Sequence, residues 1–414
     1  MNNNHELRLY QIRENGDEFR EIDDNKNILE DFKLDEYKNN SDNFATNKNK
    51  NDIKINIDNH KLMYHIDRVK EWQKNGDCYP IYVELGIANG CNHRCVFCAI
   101  DYFAYEGKIL NKDIVISTLK DMADHGVKSV MFAGEGEPLL HKDIVLIVQK
   151  AKEFGLDISI TTNGILLTKE RAEKILPNLT WIRFSFNGGN AKNYAEMHGI
   201  KSEKEYEKIV ENIKNAVAIK KAHNLNVTLG VQTVVLSENI AYIENLARTC
   251  LQLGVDNLQL KPYSHHPLSK NNFSITIDEW NNIGKIAKKY ETENFQVIVR
   301  NKTKERIDDG IRFPKCFGTP FYALIDAKGN IMVCNLFYTL PDYIFGNLHE
   351  NSFSEIWESD RRKQIINRLM DEGTKNCRIG CRLSVVNNYL YDLKQEKIRL
   401  EQPIGPTPAH VNFI

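Results

Sequence analysis

Between residues 79 and 300, short β-rich runs alternate with amphipathic helical patterns, and this alternation restricts the chain to parallel strands joined by helices. The β-rich runs are 81–87, 129–133, 157–161, 181–186, 227–234, 257–261 and 295–300. Helical periodicity falls between them, at 112–125, 141–154, 169–176, 203–222, 239–252 and 277–291. Crossovers between parallel strands are right-handed, so the strand C-termini share one rim.

The strands also have an unusual inside. In the run 181–187, Ile182, Phe184 and Phe186 fall on one face and Arg183, Ser185 and Asn187 on the other. Ser159, Thr161 and Asn163 likewise oppose Ile158 and Ile160, and Gln259, Lys261 and Tyr263 oppose Leu258 and Leu260. Glu84 sits between Val83 and Leu85. The apolar face must bury itself against the helices, which leaves the polar face lining the interior. A barrel of this kind normally fills its interior with branched apolar side chains. Polar groups there need a ligand or water. The expected fold is therefore α/β: a partial (β/α)6 TIM-like barrel over 79–300, wrapped around a polar ligand.

Directly after the first strand stand Cys91, Cys95 and Cys98. Three thiolates at this spacing in one loop can hold a cubane iron–sulfur cluster and leave one iron open. Structural zinc, completed by His93 or a distant cysteine, is the alternative. Nine cysteines in a chain with no secretory signal point to metal or redox chemistry rather than a disulfide scaffold.

The loop C-N-H-R-C-V-F-C, with aromatic Phe97 before its last cysteine, resembles the signature of the radical S-adenosylmethionine (SAM) superfamily. Gly134-Glu135-Gly136-Glu137-Pro138 looks like that family's G-G-E-P element, with Glu135 in place of the usual first glycine. Thr161 to Gly164 match its third strand end, and Ser185, with Asn187 beside it, matches its fourth. On the fifth strand the glycine element is degenerate, with Gly230 and then Gln232. The resemblance covers about 79–300. It implies a [4Fe–4S] cluster on Cys91, Cys95 and Cys98 that chelates SAM and cleaves it reductively to a 5′-deoxyadenosyl radical. It also implies SAM contacts from Phe97, Gly134, Glu135, Gly136, Glu137, Asn163, Ser185, Asn187 and Gln232, with Glu137 on the SAM amino group.

Four further cysteines, Cys316, Cys334, Cys377 and Cys381, belong to a C-terminal module over 311–395. Residues 322–334 read as a hairpin turning at Asp326 to Asn330. With Gly329 five positions before Cys334, a helix near Trp357 and the Cys377-x3-Cys381 pair, this hairpin-plus-helix module resembles the SPASM/twitch extension. That implies one auxiliary [4Fe–4S] cluster closed by four thiolates, again with zinc as the alternative. Cys250 shares an apolar helix stripe with Ile243 and Ala247 and reads as a buried thiol.

Lys261, Tyr263 and Arg183, on the inner face, are the candidates for holding substrate, and an inward Arg needs an anionic partner, either the substrate or Glu84. His265 and His266 read equally well as site residues or as a water-exposed loop. The expected reaction is hydrogen-atom abstraction from a small, anionic, nucleotide-linked or modified sugar. A maturase of a ribosomally made peptide is the second reading, and a zinc-stabilised binding protein the third. An electron donor such as flavodoxin or ferredoxin is the expected partner. A net charge of −1 argues against nucleic acid, and no run is long enough to span a bilayer, so a cytoplasmic location is expected. Residues 1–60 are polar, with a small hairpin expected over 6–22 and a solvated linker over 38–60, and 396–414 read as a tail.

Overall fold

The computed structural model describes residues 59–414, together with Ile55 and Ile57 and without Ala104 and Asn376. The hairpin expected over 6–22 and most of the expected linker lie outside these residues.

Ten strands form one sheet. Six strands of βα repeats, β1 (Tyr82–Leu85), β4 (Ser129–Phe132), β5 (Asp157–Thr162), β6 (Trp181–Ser185), β7 (Thr228–Val235) and β8 (Asn257–Pro262), lie side by side and parallel. A seventh parallel strand, β9 (Gln296–Val299), follows β8. Two short strands, β2 (Ala88–Asn89) and β3 (Lys108–Ile109), pair apart from the sheet and bracket the cysteine loop. The main sheet ends at β9 on one side, so the barrel is partial.

At the other edge the C-terminal module continues the same sheet. β10 (Tyr322–Ile325) pairs parallel to β1, and β11 (Asn330–Met332) and β12 (Ile344–Asn347) follow antiparallel. An uncovered β1 would leave a row of unpaired backbone groups. Here β10 takes them, with the Gly86 N–H donating to Ile325 O at 2.8 Å.

The helices are α1 (Ile66–Asn75), α2 (Lys112–Asp124), α3 (Ile144–Glu153), α4 (Lys169–Ile175), α5 (Ala191–His198), α6 (Lys204–Ala222), α7 (Ile243–Leu253), α8 (Ile277–Lys288), α9 (Asn301–Asp309), α10 (Phe353–Glu358), α11 (Asp360–Glu372) and α12 (Ser384–Lys394). None of them is long and apolar enough to cross a membrane. The outward strand residues Val130, Phe132, Ile158, Ile160, Phe184, Phe186 and Leu260 are fully buried against this helical layer. Cys250 is fully buried in the same core, as its stripe on α7 predicts.

The bottom of the barrel is closed by the chain's last residues. Lys61 Nζ donates to His410 O at 3.0 Å, and Asn412 Nδ2 donates to Asp157 Oδ2 at 2.7 Å. Phe413 sets its ring edge-on to Tyr82 and Trp181, the first residues of β1 and β6. A stretch that reads as a tail in the sequence thus forms the floor of the lumen.

Arg362 on α11 fastens the C-terminal helices to the strand-one side. It is 1 % exposed and holds Asp77 through two bonds, at 2.6 and 2.7 Å, while its guanidinium lies 3.9 Å from the Trp357 ring. Alanine at Arg362 removes both bonds and the stacking. Asp77 is partly exposed and water rescues some of the loss, so the expected destabilisation is about 2–3 kcal/mol. A chemical-denaturation midpoint measures it, and an unchanged midpoint would contradict the assignment.

Candidate functional site

The first cysteine loop leaves β2 and crosses the C-terminal end of α5. Arg94 N–H donates to His198 O at 3.0 Å and Val96 N–H to Met197 O at 3.1 Å, so the loop is hydrogen-bonded to the helix end. Asn163, at the end of β5, donates to Asn92 Oδ1 at 2.7 Å. Burial pushes the Cys91 thiol up to about 11 and raises Cys95 and Cys98 as well. Three thiolates in such surroundings require a cationic core to stay ionised.

The loop after β4 packs directly on the approach to these cysteines. A Cβ at Gly136 would stand 2.1 Å from Ala88 O and 2.4 Å from Gly90 O, so only glycine fits. Glu137 N–H donates to Gly90 O at 2.8 Å. The Glu137 carboxylate, 2 % exposed, accepts from Leu139 N–H, Thr162 Oγ1 and Asn163 N–H. Those bonds peg the end of β4 to the end of β5 and fix the Glu137 carboxylate at the shelf beside the cysteine loop.

The Glu135 side chain turns away from the rim to the C-terminal hairpin, where Oε1 accepts the Ala327 N–H at 2.6 Å. Burial raises its pKa to about 8. Through this bond Glu135 latches the barrel to the module. Asn187 is also engaged, its Oδ1 accepting the Val234 N–H at 2.7 Å. Gln232 stands beside Ser185 in register and lines the lumen. Phe97 packs edge-on to His198.

Inside the barrel, Ser159 Oγ, Arg183 Nε and Gln259 Oε1 are buried without a hydrogen-bond partner. A lumen with such orphans is built for a polar ligand. It opens into a cavity lined by Arg183, Lys261, Arg300, Arg306, Arg378 and Arg382, and among the described residues lining it there is no Asp or Glu side chain. Glu84, a possible partner for Arg183 or Lys261 by sequence, is taken by Arg382 of the C-terminal module at 2.6 Å and by Tyr322 Oη at 3.0 Å. Arg183 keeps one bond, to Thr161 Oγ1 at 3.0 Å. Burial, then Arg300 and Arg382, bring its pKa down to about 10. Burial, followed by Arg300, Arg378, Arg183 and Arg382, drives the Lys261 ammonium well below its usual value.

Tyr263 does not join them. β8 ends at Pro262, and the Tyr263 ring packs with Met197 and Leu236 while its hydroxyl donates to Asn271 O at 2.9 Å. His266 is fully buried and stacked on Tyr102, and its Nε2 lies 3.2 Å from Asn335 O, so the water-exposed alternative is wrong for it.

The second cysteine set gathers Cys316 before β10, Cys334 after β11, and Cys377 and Cys381 before α12. Burial pushes Cys316 up to about 12 and Cys377 to about 11, with further contributions from the neighbouring thiolates. Arg378, Arg382 and Arg306 oppose that rise at Cys381. Cys381 itself lines the cavity that holds Arg183 and Lys261. Among the described residues, no three cysteine sulfurs lie within 4.8 Å of one another. Thiolates on a tetrahedral zinc stand about 3.8 Å apart, given ~2.3 Å bonds.

Sequence reasoning missed His198, Arg378 and Arg382. The arginines flank Cys381 in the sequence and were legible as cations beside a cluster ligand; His198 carries no local signal.

Comparison with known proteins agrees with this geometry. Residues 85–250 match the radical SAM superfamily, and residues 316–382 match the SPASM iron–sulfur cluster-binding domain, which spans the second cysteine set. A Pyrococcus furiosus tungsten-containing aldehyde ferredoxin oxidoreductase cofactor-modifying protein is 27% identical over 68% of this chain and 81% of its own. The PqqA peptide cyclase of Bradyrhizobium diazoefficiens is 23% identical over 73% of this chain and 81% of its own. The crystal structure of Streptococcus suis SuiB bound to precursor peptide SuiA has the same fold, with a TM-score of 0.59, 18% identity, and coverage of 85% of this chain and 81% of that one.

Proposed function

Because the chain belongs to the radical SAM superfamily and carries a SPASM iron–sulfur domain, we propose that it is a peptide maturase that abstracts a hydrogen atom from a peptide bearing a carboxylate near the reacting carbon. When bound, the cluster on Cys91, Cys95 and Cys98 supplies the electron that splits SAM into methionine and the 5′-deoxyadenosyl radical, the hydrogen-abstracting species. This chain's own residues bind and orient. Glu137 and Gly136 hold the shelf under the SAM site, and Ser185 and Gln232 face it from adjacent strands. Lys261 and Arg183 receive the substrate carboxylate, with Arg183 able to meet it through two parallel bonds.

The observation that carries this reading is the cavity wall, which joins two inward cations to Cys381 with no Asp or Glu side chain among the described lining residues. Peptide is favoured over the nucleotide-linked sugar by the relatives, one named a peptide cyclase and one solved with a precursor peptide. The test is co-expression with any short peptide encoded beside its gene, read by mass spectrometry. A peptide that loses hydrogens only when Cys91, Cys95 and Cys98 are intact is the expected result. Turnover of a nucleotide-linked sugar, with every such peptide unchanged, would overturn the peptide reading.

A further inference from the structure

His198 closes α5 at the point where the cysteine loop crosses it, and its side chain is fully buried. Its Nδ1 lies 3.4 Å from Cys95 Sγ and 3.1 Å from His93 Nδ1. Its Nε2 lies 3.2 Å from the backbone nitrogen of Asn187. A backbone N–H can only donate, so Nε2 must present a lone pair, and the ring's single proton must sit on Nδ1. The tautomer therefore follows from the backbone.

The next ring obeys the same logic. His93 Nε2 lies 2.8 Å from Glu205 Oε2, a carboxylate oxygen that accepts. The His93 proton is then on Nε2, and its Nδ1 carries a lone pair. Asn187 donates to His198 and His93 donates to Glu205, and the one His198 Nδ1–H is shared between the lone pair of His93 Nδ1, at 3.1 Å, and Cys95 Sγ, at 3.4 Å. This arrangement also excludes a metal ion held by His93, Cys95 and His198, whose ligand atoms lie within 4.8 Å of one another. Metal on the Nδ1 of a His198 ring would force the proton to Nε2, head-on to the Asn187 N–H.

We propose that His198 is a positioning residue for the SAM-binding cluster: its Nδ1–H donates to Cys95 Sγ and raises the cluster's reduction potential. One-electron reduction by an external reductant adds a negative charge to the cluster and its thiolates. A donor on a ligand sulfur stabilises that added charge, so the reduced state gains more than the oxidised one. The inference rests on the cluster assignment and is independent of the substrate.

Three substitutions separate the donor from the bulk of the ring. His198→Asn keeps an N–H near the place of Nδ1. His198→Gln extends its amide to the place of Nε2 and leaves Nδ1 empty. His198→Phe keeps the volume and neither nitrogen. The full-length protein is reconstituted anaerobically and titrated potentiometrically, following the electron paramagnetic resonance signal that changes on adding SAM. The Gln and Phe variants should show an about fivefold to tenfold smaller reduction constant, as one lost hydrogen bond predicts, a tenfold change being 59 mV for one electron. The Asn variant should stay within about twofold of the parent. Wild-type potentials in the Gln and Phe variants would overturn the proposal, as would an Asn variant that shifts as far as Phe or loses its iron. If the Phe variant alone loses iron, the Asn and Gln pair, one methylene apart, decides. A parent protein without iron would instead refute the cluster assignment, which is a distinguishable failure.

Discussion

Alanine at Cys91, Cys95 and Cys98 together should leave about four irons of the about eight expected for the parent, and SAM cleavage should disappear. The numbers follow from one four-iron cubane at each cysteine set. The sets are built by separate elements: the first by the loop between β2 and β3, the second by β10, β11 and the turn before α12. Loss of the first cluster therefore leaves the second set's four thiols in place. Iron and sulfide analysis of anaerobically purified protein reads the result. The complementary change, alanine at Cys316, Cys334, Cys377 and Cys381, should remove the other about four irons and also weaken the fold, because β10 covers the edge of β1 and β11 pairs with β10. Zinc at near stoichiometry with no sulfide would refute both clusters.

Lys261→Ala and Arg183→Ala should each lower peptide turnover about thirtyfold or more, from the ~2 kcal/mol or more that a lost buried charge pair costs. SAM cleavage in the absence of substrate should stay within about threefold of the parent, because neither side chain is on the shelf between β4 and β5. The folded protein points the same way. Lys261 has no hydrogen-bond partner among the described residues and is surrounded by Arg300, Arg378, Arg183 and Arg382, which with burial lower its pKa. A lysine with a lowered pKa is a source of instability at neutral pH, relieved as pH rises towards the unfolded value, because the folded state disfavours the proton. Lys261→Met should therefore keep or raise the thermal midpoint while abolishing turnover, as expected of a residue kept for binding rather than folding. Collapse of SAM cleavage in both alanine variants would assign the cations to SAM's own carboxylate and remove the case for an anionic substrate.

For Arg183, Gln259 and Lys261, all inside the ladder, alternation alone gives the face they take. All three line the lumen, and Phe184 and Leu258 are buried behind it, because the pleat ties parity to side-chain direction. That rule stops with the strand. Tyr263 has the parity of Lys261, but Pro262 ends β8, and one residue later the backbone is free to turn the ring into an apolar cluster beside Met197. Glu135, likewise, stands beyond β4 and follows its loop to Ala327.

The two cysteine sets, the βα order and the polar inner face were determined by the sequence itself, since each depends on spacing within a few residues or on a period of two. The balance of charge was decided only by the tertiary structure. Glu84 could have neutralised Arg183 or Lys261, and nothing near it in the chain says otherwise. It pairs instead with Arg382, almost three hundred positions away, once β10 docks on β1. The floor made by Phe413 and Asn412, and the proton on His198 Nδ1, are of the same kind. Each depends on which atoms distant segments bring within hydrogen-bond or van der Waals reach, a property of the packed molecule with no local period to reveal it.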